Sequence, residues 1–150
     1  MKNLTTLDSL PKEKESTAAK TFLITGVSSG FGRAFAEAAL NEGHKVAGTV
    51  RQEDAIRQFE EIAPGRALGV LIDVADFPKI GPAVAAVERE LGPIDVLVNN
   101  AGYGHEGTIE ESPFEDILRQ FDVNVFAAVA MIKAVLPGMR ERRAGRIVNV

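Results

Sequence analysis

Residues 25–32 read Thr-Gly-Val-Ser-Ser-Gly-Phe-Gly, a Gly-x-x-x-Gly-x-Gly spacing set between a short apolar run and a helical pattern. That placement suits phosphate chemistry. Gly26 permits a tight turn, Gly30 lets backbone approach a pyrophosphate with no Cβ in the way, and Gly32 lets the next helix pack close to a sheet. The free N–H groups and partial positive charge at the start of that helix would face the phosphates. Ser28 and Ser29 add hydroxyl donors, and Phe31, between the last two glycines, is assigned to the same loop.

A site for NAD carries an acidic residue about 20 residues beyond the glycines, where it holds the ribose 2′-hydroxyl. Here the segment Val46–Gln52 has Val50 at that place, Arg51 next, and no acid before Glu53. An arginine there pairs with a 2′-phosphate. NADP is therefore the expected cofactor, with NAD the less favoured alternative.

Further polar residues stand in apolar surroundings. Asn99 and Asn100 end an apolar run and precede Ala101 and Gly102. Their amides need partners if that end is buried, and a simple turn explains the bend but not the doubled asparagine. Asn124 lies three residues after Phe121, close to an apolar helical face, where an unsatisfied amide costs about 1–3 kcal/mol. Asp73 ends another apolar run and, taken alone, reads as a solvated carboxylate. His44 falls in a turn and reads as solvated. His105 lies in a glycine-rich loop without a paired base and reads as a loop residue.

Composition removes several classes of function. With no cysteine, disulfides, thiolate metal sites and a cysteine nucleophile are excluded. A formal charge of −4 argues against nucleic acid or an anionic membrane as partner. The first residues, 1–19, lack a continuous apolar run and read as a flexible leader rather than a signal or an anchor. A cytoplasmic location is expected.

The elements that must position these residues alternate along residues 20–150. Strands are predicted at 21–25, 45–50, 66–74, 94–100 and at the terminal Arg146–Val150. Helices are predicted from Phe31 to about 41, over 53–62 and 78–91, and from about 113 to 142. Phe31, Ala34, Phe35, Ala38 and Ala39 recur at helical spacing on the first helix. Leu118, Phe121, Val125, Ala128, Ile132 and Val135 do so on the last. Strands joined by crossover helices give a doubly wound parallel sheet in three layers and one domain.

These motifs together resemble the short-chain dehydrogenases/reductases. The glycine spacing of 26–32 is similar to that family's, and Asn99-Asn100-Ala101-Gly102 resembles its NNAG motif. Asp73-Val74 resembles its adenine-contacting pair, Asn124-Val125 its active-site asparagine, and Gly145–Val150 the strand leading to its catalytic serine. The resemblance implies a Rossmann-type fold. It implies that Asp73 accepts from the adenine amino group while Val74 packs on the ring, and that one asparagine of the pair braces strand ends. Ala101 and Gly102 would lie along the cofactor ribose, and Asn124 would distort its helix and hold a water of the proton relay.

The function so implied is hydride transfer between NADP(H) and a small carbonyl or alcohol, by an enzyme that is homo-oligomeric when complete. The family's serine and Tyr-x-x-x-Lys do not occur in this sequence: Tyr103 is the only tyrosine, and Gly107 stands where its lysine should be. The expectation is a cofactor-binding half, cut off after the fifth strand and inactive alone. The alternative is a dinucleotide-binding sensor or regulatory module without catalysis.

Overall fold

The structure, a computed structural model, describes residues 18–150; the expected leader, all but its last two residues, lies outside them. The strands are β1 (Thr21–Ile24), β2 (Lys45–Val50), β3 (Ala67–Leu71), β4 (Val96–Asn99) and β5 (Arg146–Asn149). The helices are α1 (Gly30–Asn41), α2 (Glu53–Glu60), α3 (Phe77–Leu91), α4 (Phe114–Phe121) and α5 (Ala127–Arg142), with a π-helical turn, Asp122–Phe126, joining the last two. All strands run parallel, in the order β3-β2-β1-β4-β5. This is the expected doubly wound sheet.

The sheet is apolar on both faces because helices cover both. Leu23, Ala47 and Leu97 meet Val84 and Val87 of α3 and Met131 and Val135 of α5. Their strand neighbours Ile24, Val46 and Val98 point the other way, against Ala36 and Leu40 of α1 and Phe59 of α2. Each such buried aliphatic side chain contributes about 1.5–3 kcal/mol. The strand order reverses between β1 and β4, so a crevice opens at their carboxyl ends.

Three elements depart from the sequence expectation. β3 stops at Leu71, before Asp73, because the Asp73 carboxylate accepts the Ala75 N–H and the Asp73 carbonyl accepts the Asp76 N–H, which turns the chain. α1 buries Gly32, Ala36, Ala39 and Leu40, leaving Phe31 73% exposed. Its rotation is set by Gly32, which sits against Gly26 and Asn100. The long helical run buries Ala127, Met131, Val135 and Met139, whereas Leu118, Phe121 and Val125 are exposed.

The π turn explains that last difference. Its extra residue shifts the helical phase, so the predicted single apolar face becomes two. One lies in the core. The other, Phe114, Leu118, Phe121, Val125 and Val129, faces outward. By length and composition the run Phe114–Arg142 is long enough and apolar enough to cross a bilayer; in this fold its inner stripe is part of the core.

Candidate functional site

The carboxyl ends of β1, β2, β3 and β4 surround a cleft of about 560 Å³, lined by Gly26, Gly30, Arg51, Asp73, Gly102 and their neighbours. A second hollow of about 250 Å³ adjoins it through the shared wall of Asn100 to Tyr103 and extends towards Asn124 and Asn149. Together they offer an elongated depression within the range of ligand sites.

The glycine loop forms one wall. Gly30 adopts φ +60° with no atom near the place of a Cβ, so its backbone faces open space. Gly32 does the opposite: a Cβ there would strike the Gly26 carbonyl oxygen and the Asn100 side chain. Ser29 is the N-cap of α1 yet makes no side-chain capping bond. The first N–H groups of α1 are thus uncapped where they border the cleft.

Two buried threonines hold this loop, and neither was singled out from sequence. Thr49 Oγ1 accepts the Gly26 N–H at 2.9 Å. Thr25 Oγ1 accepts from the backbone N–H of Asn100 at 2.9 Å and of Ala101 at 2.8 Å. Both threonines are 3% exposed. A threonine at the carboxyl end of an otherwise aliphatic strand was the available signal.

Both asparagines of the pair brace strand ends. Asn100 Nδ2 donates to the carbonyls of Thr25, at 3.0 Å, and Gly26, at 3.2 Å. Asn99 Nδ2 donates to Asn149 Oδ1 on β5 at 2.8 Å. Asn99 Oδ1 is buried without a partner among the described residues, an acceptor left over beside the smaller hollow. Ala101 and Gly102 line both depressions.

Asn124 lies within the π turn and is exposed. Its Oδ1 accepts the Tyr103 N–H at 3.1 Å and its Nδ2 donates to the Tyr103 carbonyl at 2.8 Å. Gln120 adds a bond to the same carbonyl at 3.3 Å. The amide cost anticipated for an apolar face therefore does not arise.

At the other end of the cleft, Asp73 bonds Ala75 N–H through one oxygen and the Arg119 guanidinium through the other. Burial pushes the Asp73 carboxyl up, but the Ala75 N–H, the hydrogen bond and charge of Arg119, and the charge of Arg51 outweigh it and hold it below the ordinary value. Asp73 is not the freely solvated carboxylate its sequence position alone suggested. Val74, 6% exposed, lines the cleft beside it. Arg51 is exposed on the wall of the cleft and makes no ion pair among the described residues.

The histidines have structural places. His44 Nδ1 accepts the Lys20 N–H at 3.2 Å and its ring stacks on Phe22 at 5.3 Å, so it is not simply solvated. His105 Nε2 lies 2.9 Å from Ser112 Oγ, which donates to the Thr108 carbonyl. The serine proton is committed, so the ring nitrogen is the donor and the pair closes the loop.

The sequence model described as short chain dehydrogenase matches residues 20–150. The chain belongs to the short-chain dehydrogenase family. The chain is 41% identical over 128 residues to a 3-ketodihydrosphingosine reductase of Bacteroides thetaiotaomicron, covering 85% of the present chain and 45% of the relative. It resembles the crystal structure of a short-chain dehydrogenase from Streptomyces avermitilis, with TM-score 0.84, 42% identity, and 88% and 48% of the two chains covered. It is also similar to L-sorbose reductase from Gluconobacter frateurii, solved with NADPH and L-sorbose, with TM-score 0.82, 35% identity, and 88% and 52% covered. The chain spans about half the length of the relatives it matches. Membership makes it part of an oxidoreductase family with this Rossmann-type sheet.

Proposed function

We propose that the chain holds NADP(H) for an oxidoreductase that moves hydride between that cofactor and a carbonyl or alcohol. One observation carries the reading: the uncapped start of α1 and Arg51, without an ion pair among the described residues, border the same cleft. Anionic groups are what both attract. The fit is also steric, since Gly30 leaves open space where a side chain would stand.

When bound, the nicotinamide supplies or takes the hydride. The chain's own residues bind and orient. The α1 N–H groups and the hydroxyls of Ser28 and Ser29 would hold the pyrophosphate. Arg51 would pair with the 2′-phosphate, and Asp73 would accept from the adenine amino group. Ala101 and Gly102 would follow the ribose on the side of the smaller hollow. Asn124 spends one lone pair and one proton on Tyr103 and keeps a second of each for a bridging water. The L-sorbose reductase complex with NADPH supports the cofactor choice, and the reductase names of the relatives support carbonyl chemistry.

Proton donation is a separate matter. An alkoxide must be protonated as hydride arrives, and a placed acid is worth about 10²- to 10⁴-fold. Tyr103 lacks a lysine four residues on, and His105 is tied to Ser112. Residues 1–150 are therefore expected to bind without turnover. The test is a fluorescence titration of the purified chain with NADPH and NADH, paired with an assay on a panel of carbonyl substrates. Arg51→Ala should weaken NADPH binding by about tenfold and NADH binding little. Equal losses for the two cofactors would remove Arg51 from the role, absence of binding would remove the reading, and clear turnover would remove the account of proton donation.

A further inference from the structure

Arg119 belongs to none of the motifs that identify the family, yet its guanidinium bonds Asp73 on the wall of the cleft. It stands in the last turn of α4 and reaches across to Asp73 Oδ2 at 2.5 Å. The other carboxylate oxygen takes the Ala75 N–H at 3.0 Å. The carboxylate is thus fixed from both ends, by the turn after β3 and by a helix that arrives after β4. Asp73 and Arg119 both line the cleft and keep 40% and 46% of their side-chain surface exposed.

A carboxylate held this way has a defined chemistry. Each oxygen has spent one lone pair on these bonds and retains another. While ionised it accepts only. A donor such as an exocyclic amino group is welcomed there, and an acceptor such as a ring carbonyl is met by a lone pair. Without its arginine the carboxylate would be held only by the Ala75 N–H, and an approaching group would have to order its second oxygen at an entropic cost.

We propose that Arg119 is a positioning residue: it fixes Asp73 as an acceptor on the cleft wall and so sets a preference for a 6-amino over a 6-oxo purine. This deepens the proposed function and rests on the cleft accepting a dinucleotide. Arg119 touches no reacting atom. Its effect passes through Asp73, with the neighbouring bonds of Gln120 and Asn124 to Tyr103 keeping the helix end in place.

The discriminating pair is NADPH and its hypoxanthine analogue, which carries a 6-oxo group and has the same nicotinamide fluorescence. Titrated into the full chain, NADPH should bind about tenfold more tightly than the analogue, as expected for a hydrogen bond to a charged group. Arg119→Ala should reduce that ratio to about threefold or less, by weakening NADPH and not the analogue. Arg119→Lys, which retains the charge, should recover part of it. A purely structural role would lower both affinities together and leave the ratio unchanged. That result, in a variant whose circular dichroism is native, would overturn the proposal and leave dinucleotide binding standing. Failure of the parent chain to bind either compound would instead overturn the reading beneath it. Should Arg119→Ala not fold, Arg119→Lys and Arg119→Gln carry the same comparison; if none of the three folds, Arg119 is a strut and the proposal falls.

Discussion

Asp73 ties the chemistry of the cleft to acidity. Its carboxyl is held below the ordinary value of 3.8, so the native state binds the proton more weakly than the unfolded chain does. The associated stability is fully present above the unfolded value and is lost as pH falls through the folded one. Arg119→Ala removes much of what depresses the group. Urea denaturation should therefore show a gap between parent and variant at pH 7 that narrows as pH falls below the ordinary value of 3.8. Both side chains are more than a third exposed, so screening limits the neutral gap to about 1 kcal/mol. A gap that widened in acid would contradict this assignment. Thr25 makes a larger claim. Thr25→Val keeps the shape but strips the acceptor from two backbone N–H groups. Leaving those partly buried donors unsatisfied should cost about 2–4 kcal/mol in chemical denaturation. A loss below about 0.5 kcal/mol would show that water replaces the hydroxyl.

The elements show where sequence was a good guide and where it could not be. The alternation of aliphatic runs with helical spacing gave the order of strands and helices, because both faces of a parallel sheet must be apolar. The glycine loop was legible because its spacing reports a backbone requirement rather than a side-chain preference. Arg119 was not: nothing local to α4 records that the end of β3 lies opposite. Gly48 and Gly69 were equally silent. They stand side by side on β2 and β3; a Cβ on Gly48 would strike Val27 and then Phe59 of α2, and one on Gly69 would strike Ile56 of α2. The closeness of that helix is a tertiary fact. The π turn misled the reading in another way, since spacing arguments assume an unbroken period. The outward stripe it leaves, Leu118, Phe121 and Val125 among others, is the surface on which we propose that the homo-oligomer expected of the complete protein would associate. Phe121→Glu should shift sedimentation towards the monomer by desolvating a charge in any such contact. An unchanged distribution, with the parent associated, would place the contact elsewhere.

On the scale of the whole molecule, the strand order governs when the cleft can exist. β1 to β3 and the helices between them are neighbours in the chain and in the sheet. β4 is not; Thr25 and Asn100, whose bonds join the two halves of the cleft, stand 75 residues apart. Bringing such distant segments together costs loop-closure entropy before any contact repays it. The β1–β2–β3 unit can therefore gain structure first, while the glycine loop waits for the wall supplied by Asn100 to Tyr103. In a refolding experiment, far-ultraviolet circular dichroism should recover ahead of NADPH fluorescence, and the lag should lengthen in Thr25→Val. Coincident recovery would mean that the two halves assemble in one step. The junction between β1 and β4 would then be a late checkpoint for the proposed nucleotide binding: a chain able to take the nucleotide would be one whose distant segments have already met.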